Sequence, residues 1–194
     1  MLENSSVRVF RLALQPGEAT LSHRHERFYV FVDLGGGDVS NEVKGRPPIA
    51  NHLEDGELRT SKGGFTLIER NAGSATLAMV VIEPSGKTEA GAFEEPMGNF
   101  RYHDAALGAL FEGAVARGYE MTIASEGRTE KHSDKYDRLL LALNDLQLKD
   151  EVEGKGASVI ERKAGDVLWF PGGSTHAITN IGKSPAHFIT IEFR

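Results

Sequence analysis

Cysteine is absent from the 194 residues, which excludes disulfides, thiolate metal sites and cysteine nucleophiles. Basic charge is scarce as well. The 22 Lys and Arg side chains stand against 28 Asp and Glu, giving a net charge of -6. No Lys/Arg cluster is long enough to form a phosphate-binding stripe, so nucleic acid is not an expected partner. No segment approaches the roughly 20 apolar residues of a membrane span. The first ten residues, MLENSSVRVF, have neither the basic nor the apolar region of a secretory signal. The expectation is a cytoplasmic protein with no membrane partner. Also missing are a Ser/His/Asp triad, a phosphate-cradling glycine loop and a dinucleotide fingerprint, because Gly35-Gly36-Gly37 follows a strand but opens no helix.

What is present is a β-rich pattern punctuated by Gly and Pro. Val7 to Leu14 and Thr20 to Leu34 read as strands, the second rich in aromatic and β-branched residues. Val39 to Leu53 is polar, contains Pro47-Pro48 and reads as a long loop with short edge strands. Ala75 to Glu83 reads as a further strand, closed by Pro84. From about residue 85 to 118 the composition becomes linker-like, with a short helix expected over Ala105 to Ala116 and Asp104 as its N-cap. The pattern then begins again at a constant offset of 109 positions, without a gap. His23 falls on His132, Gly45 on Gly154, Gly56 on Gly165, Gly63-Gly64 on Gly172-Gly173, Asn71 on Asn180, and Ile82-Glu83 on Ile191-Glu192. Turn residues, strand residues and one histidine all keep register, which identifies an internal duplication of a β-rich unit.

The second copy contains the stretch GDVLWFPGGSTHAITN, Gly165 to Asn180. It reads as a strand from Asp166 to Phe170, a turn on Pro171, Gly172 and Gly173, and a second strand carrying His176, the two strands forming a hairpin. The spacing of Gly165, Pro171, Gly173, His176 and Asn180 matches at all five positions the second signature motif of the cupin superfamily, which it resembles. The resemblance covers nearly the whole chain apart from the linker. It implies an all-β fold of two tandem cupin barrels, each a jelly roll or double-stranded β-helix: residues 1–97 for the first barrel and 98–194 for the second, with linker and short helix within about 85–118.

Cupins commonly bind a metal through two histidines and a carboxylate of a first motif and a histidine of the second, and alternate strand residues can aim an H-x-H pair at one point inside a barrel. In the first barrel Gly17, His23 and His25 match that motif, but its acidic position holds Tyr29, and the second-motif histidine is replaced by Leu67. Glu69, two residues beyond Leu67 on the same face, and Asp33, farther along the His25 strand, are the carboxylates available to rebuild a site. The reading favoured from sequence is that His23 and His25 are hydrogen-bonded inside a barrel that binds metal weakly or not at all. In the second barrel His132 and His176 hold ligand positions, Asp134 replaces the second histidine of the pair, and the acidic position falls on Arg138. His132, Asp134 and His176 would form the facial triad associated with non-haem Fe(II). An H-x-D with a later histidine also resembles 2-oxoglutarate-dependent oxygenases, although the only arginine after His176 is Arg194.

Two classes of function follow from the resemblance. In the first, a divalent transition metal (Fe, Mn, Ni or Zn) serves a dioxygenase or isomerase acting on a small carboxylic acid, with Arg138 as the catalytic group that orients the carboxylate. In the second, Arg138 pairs with Asp134 or Asp137, the metal sites have decayed, and the barrels bind or sense a small-molecule ligand without turnover. A homodimer through exposed strands or the segment between the barrels is compatible with either.

Overall fold

The computed structural model describes residues 2–85, 93–94 and 104–194. By contact density the chain divides into Met1–Ser85 and Gly86–Arg194. The boundary expected at residues 97 and 98 lies outside the described residues. In the first unit the strands are β1 (Leu2–Glu3), β2 (Val7–Leu14), β3 (His23–His25), β4 (Tyr29–Asp33), β5 (Gly37–Val43), β6 (Ile49–Leu53), β7 (Leu58–Ser61), β8 (Phe65–Asn71) and β9 (Leu77–Pro84). In the second they are β10 (Ala105–Glu112), β11 (Ala116–Ile123), β12 (His132–Asp134), β13 (Asp137–Ala142), β14 (Leu146–Val152), β15 (Gly156–Arg162), β16 (Val167–Phe170), β17 (Ser174–Asn180) and β18 (Ala186–Phe193). Every regular element among the described residues is a strand, and none of these residues forms a helix long and apolar enough to cross a membrane.

The duplication read from sequence recurs strand for strand. Each unit has a five-stranded antiparallel sheet, β1-β2-β9-β4-β7 in one and β10-β11-β18-β13-β16 in the other. Each also has a four-stranded sheet, β3-β8-β5-β6 and β12-β17-β14-β15. Two sheets whose inner faces are apolar form the double-sheet jelly roll. Along β2 the even positions Phe10, Leu12 and Leu14 turn inward with Arg8 at their end, while Val7 and Val9 are buried on the opposite face and Arg11 is exposed. In the second unit the core gathers Met121, Ile123, Leu140, Leu146, Leu148 and Phe188.

Asn71 and Asn180 fix equivalent loops. The Asn71 amide donates to the carbonyls of Leu14 and Ala75, at 2.8 and 2.7 Å, and its oxygen accepts from Gly73 N. Asn180 repeats this with Ile123, Ser184 and Gly182. The two asparagines therefore serve backbone satisfaction, which explains their matched positions.

Three local expectations are corrected. The segment Gly165 to Asn180 is not a hairpin: β16 pairs with β13, whereas β17 pairs with β12 and β14 in the other sheet. The Pro171-Gly172-Gly173 turn is a corner that carries the chain from one sheet to the other. Turn residues specify a reversal of direction but not the partner of the strand that follows. Gly173 takes positive φ and donates to the Asp134 carbonyl, while Gly172 N donates to Asp137 Oδ1. A Cβ on Gly172 would lie 2.4 Å from the Lys135 carbonyl oxygen, and one on Gly63, at the equivalent corner, 2.1 Å from that of Arg27. Close approach, in addition to φ, thus demands glycine at these corners.

The helix expected over Ala105–Ala116 is also absent. Ala105–Glu112 is the strand β10, paired with β11 through a bulge between Ala109 and Phe111. Its alanines and leucines suit a helix, but Ala105 and Leu107 pack on the core and Phe111 covers Gly118, so tertiary pairing overrides local propensity. Finally, Val39–Leu53 is an ordered hairpin of β5 and β6, with Pro47-Pro48 confined to the connection.

Gly172→Ala is expected to lower unfolding free energy by about 2–3 kcal/mol, as overpacking against rigid backbone does. Gly154→Ala, at a turn with φ of 75° and nothing within 4 Å, should cost about 1 kcal/mol. Urea unfolding of the two variants side by side checks the ranking, and equal losses would remove close approach as the reason for Gly172.

Two candidate metal centres

In the first unit, strand alternation places His23 and His25 on one face of β3. The neighbour β8 sets Leu67 directly opposite His23 and Phe65 opposite His25. The cross-strand position is therefore apolar, and the third polar group comes from the diagonal neighbour Glu69, within reach of a long side chain. Its Oε2 lies 3.6 Å from His23 Nε2. Ligand atoms of His23, His25 and Glu69 all fall within 4.8 Å of one another.

The ring nitrogens turned away from this point are engaged. His23 Nδ1 lies 3.0 Å from the Leu21 carbonyl oxygen, and His25 Nδ1 lies 2.6 Å from Glu83 Oε1. Both acceptors require the proton on Nδ1. The two Nε2 lone pairs then face each other across 3.2 Å, an arrangement that repels unless a proton or a cation lies between them. Burial raises the Glu69 pKa, moderated by the neighbouring His23 and His25. Two oriented imidazoles and one buried carboxylate form a donor set suited to a divalent transition metal, with Glu83 and the Leu21 carbonyl fixing the tautomers.

This group opens onto a cavity of about 420 Å³ lined by Arg8, Phe10, Leu12, Arg24 and Val81 among others. Tyr29, at the motif's acidic position, does not reach into the group as a ligand. Its ring stacks on His25 at 4.0 Å and its hydroxyl bonds Ser61. Arg8 is held loosely, 3.8 Å from Glu83 Oε2 with 59% of its side chain exposed.

In the second unit β12 and β17 set His132 directly opposite His176. His132 Nδ1 lies 2.8 Å from the Glu130 carbonyl, as His23 does from Leu21. There the likeness ends. His176 Nδ1 lies 2.5 Å from Asp150 Oδ1 and its Nε2 lies 2.6 Å from Asp134 Oδ2, so a carboxylate stands at each ring nitrogen and favours the imidazolium. Burial opposes this charge, but the hydrogen bonds to Asp134 and Asp150 prevail and raise the His176 pKa. Arg138 completes the group, with Nη1 2.8 Å from Asp134 Oδ2 and Nη2 3.1 Å from His176 Nε2, its guanidinium over the Phe170 ring. Two carboxylates thus face two cations, and the cluster is neutral as it stands. The space beside it is about 20 Å³.

His132, Asp134 and His176 are brought within the same 4.8 Å as the first group, yet they do not fit a metal in this arrangement. The Asp134 oxygen that would face the ion is already taken up by His176 Nε2 at 2.6 Å and by the Arg138 guanidinium at 2.8 Å. Arg138, the residue expected to hold a substrate carboxylate, lies against Asp134 instead. Its equivalent of Glu83 is Glu192, which pairs with Arg117 at 2.5 Å, and Arg117 is buried under Phe93 with 4.5 Å from guanidinium to ring centroid.

Of the carboxylates weighed from sequence, Glu69 joins His23 and His25. Asp33 is buried elsewhere, accepting from Gly36 N at 2.6 Å. Glu83 and Arg8 were missed. The signal for Glu83 was its repetition as Glu192 at the duplicated position. Arg8 carried the same signal, since it recurs at the offset of 109 as Arg117.

No protein-family model and no curated protein matches the chain. Among solved structures, AerE from Microcystis aeruginosa superposes with a TM-score of 0.71 at 12% identity, covering 97% of this chain and 88% of that one. The formate complex of oxalate decarboxylase from Lactobacillus farciminis gives 0.71 at 14% identity, covering 98% and 78%. Oxalate decarboxylase of Bacillus subtilis, studied for its Mn(II) centres, gives 0.67 at 13% identity, covering 97% and 69%. Identities this low show a shared fold across nearly the whole chain.

The barrel-two cluster should be felt in the pH dependence of stability. His176 is raised from an ordinary value of 6.5, so its contribution is complete below that value and lost as pH rises through the raised one. Burial opposes ionisation of Asp134, but the hydrogen bond with His176 and the Arg138 charge lower its pKa below 3.8. Its contribution is present above 3.8 and lost as pH falls through the lowered value. Thermal unfolding from ~pH 5 to ~pH 9 should therefore fall off above about pH 6.5, and His176→Gln should flatten that limb. A limb of the same steepness in the variant would assign it to another group.

Proposed function

The chain is a pair of tandem cupin barrels, and we propose that the N-terminal barrel binds a divalent transition metal and acts with it on a small carboxylic acid. One observation carries this reading. The Nε2 atoms of His23 and His25 lie 3.2 Å apart beside a buried carboxylate, at a cavity with room for a small ligand. His23, His25 and Glu69 would hold the ion, leaving positions open for a ligand. The bound ion would supply Lewis acidity or activate water or dioxygen.

The chain's own residues supply the rest. Glu83 and the Leu21 carbonyl keep both imidazoles in the tautomer that presents Nε2. Arg8 and Arg24 line the cavity and offer guanidinium donors to an anionic ligand. Phe10, Leu12 and Val81 give it an apolar wall, suited to a short carbon skeleton. The oxalate decarboxylase neighbours, one of them solved as a formate complex, are consistent with a small carboxylate. The replaced ligand positions at Tyr29 and Leu67 favour the second reading, a barrel that binds the acid without turning it over.

Metal content per chain, measured by plasma mass spectrometry on untagged protein after incubation with Fe(II), Mn(II), Ni(II) or Zn(II), tests the site. His23→Ala and Glu69→Gln should abolish binding, and Glu83→Gln should weaken it by about 10–100-fold. Retention of full metal content by His23→Ala would refute the assignment to this barrel. Metal without turnover across a panel of small acids would select the binding reading over the enzyme.

A further inference from the structure

The two barrels differ at a set of positions that change together. At the offset of 109, Tyr29, His25, Asn41, Leu67 and Ser61 stand where the second barrel has Arg138, Asp134, Asp150, His176 and Phe170. Each pair also keeps its structural place. Tyr29 is the cross-strand partner of Ser61, which its hydroxyl bonds, and Arg138 is the cross-strand partner of Phe170, whose ring its guanidinium covers at 4.8 Å. A tyrosine folded against a histidine has become an arginine directed at an aspartate.

We infer that Arg138 is a resident cation occupying the metal's place in the second barrel. Its Nη1 and Nη2 meet Asp134 Oδ2 and His176 Nε2, the two atoms that with His132 Nε2 would face an ion. Asp150 serves His176 Nδ1 from behind, as Glu83 serves His25 in the first barrel. The second barrel thus retains two histidines, a carboxylate and an orienting carboxylate, with a guanidinium closing the set. Arg138 is nearly inaccessible, 6% of its side chain being exposed, so it has no outlet toward a ligand in solvent. Removing it leaves Asp134 and Asp150 with one cation for two charges and frees the volume above Phe170. A divalent ion can then bind between His132, Asp134 and His176.

The test uses the full untagged chain. Arg138→Tyr, the first barrel's residue, and Arg138→Leu are incubated with Mn(II) and their metal content is compared with wild type. Each should gain about one equivalent per chain, lost again on adding His176→Ala. Each should also melt lower than wild type without metal and recover on its addition. In the wild-type background His132→Ala should leave metal content unchanged. The idea is overturned if His132→Ala removes metal from the wild type, or if a folded Arg138 variant gains none. Should neither Arg138 variant fold, the His132→Ala comparison decides. Because the gain is counted against wild type, and the first barrel is followed separately through His23→Ala, either reading can fail without the other.

Discussion

Carboxylates buried in a protein interior must be neutralised where they stand, because removal from water leaves an unpaired charge too costly to keep. Glu69, Asp134, Asp150 and Glu192 are all buried, and the arrangement of both barrel interiors follows from their partners. In the second barrel the balance is internal: Arg138 and His176 face Asp134 and Asp150, and Arg117 faces Glu192. In the first barrel Glu83 turns one oxygen to His25 at 2.6 Å and keeps only a loose 3.8 Å contact with its strand arginine, Arg8. That one exchange leaves Arg8 on the cavity wall, and it leaves Glu69 facing two imidazoles whose protons are committed elsewhere. One barrel is closed and neutral, and the other is open.

The backbone made this divergence possible without changing the fold. Both barrels use the same ladder between the short histidine strand and its neighbour, so direct and diagonal cross-strand positions stay equivalent. Of the two candidate ligand sets, two positions are shared, 23 and 132 holding histidine in both and 25 and 134 holding histidine in one and aspartate in the other. The third ligand moved along the ladder, from the rung of His176 to the rung that Glu69 holds in the first barrel. A pleated strand offers every second residue to the same interior point, so a donor can be lost at one rung and restored at the next.

The legible part of the sequence was the part that backbone geometry dictates. Gly63-Gly64, Gly172-Gly173, Asn71 and Asn180 serve turns and buried carbonyls that tolerate few alternatives, and their spacing revealed the duplication, to which the resemblance of Gly165 to Asn180 added the jelly roll. Pairing partners were less legible. The Pro171 to Gly173 corner was read as a hairpin because a turn signal is the same whether the chain returns to its own sheet or crosses to another. Ala105–Glu112 was read as a helix because its residues favour one in isolation, and only the waiting edge of β11 makes it a strand. At the sites, strand parity put Arg138 on the face of Asp134, but which way a long cation points depends on the volume left by its neighbours, here Phe170 and Ile178. Parity also brought out Glu69, though a motif in which its neighbour Leu67 replaces histidine pointed away from that barrel.

A guanidinium and a metal ion answer the same electrostatic need with different dependence on conditions. A side-chain cation is always present, never dissociates from the chain and cannot be chelated, so a barrel closed by Arg138 keeps its interior charge balanced whatever the metal supply. It also fills the space it neutralises and offers no exchangeable position to a ligand. A metal ion leaves coordination positions open, at the cost of making the stability of its barrel follow the free metal concentration, since an ion that binds the folded state stabilises it by mass action. On the reading proposed above, duplication would let one chain hold both solutions, a barrel closed by its own arginine and a barrel that takes an exchangeable ion.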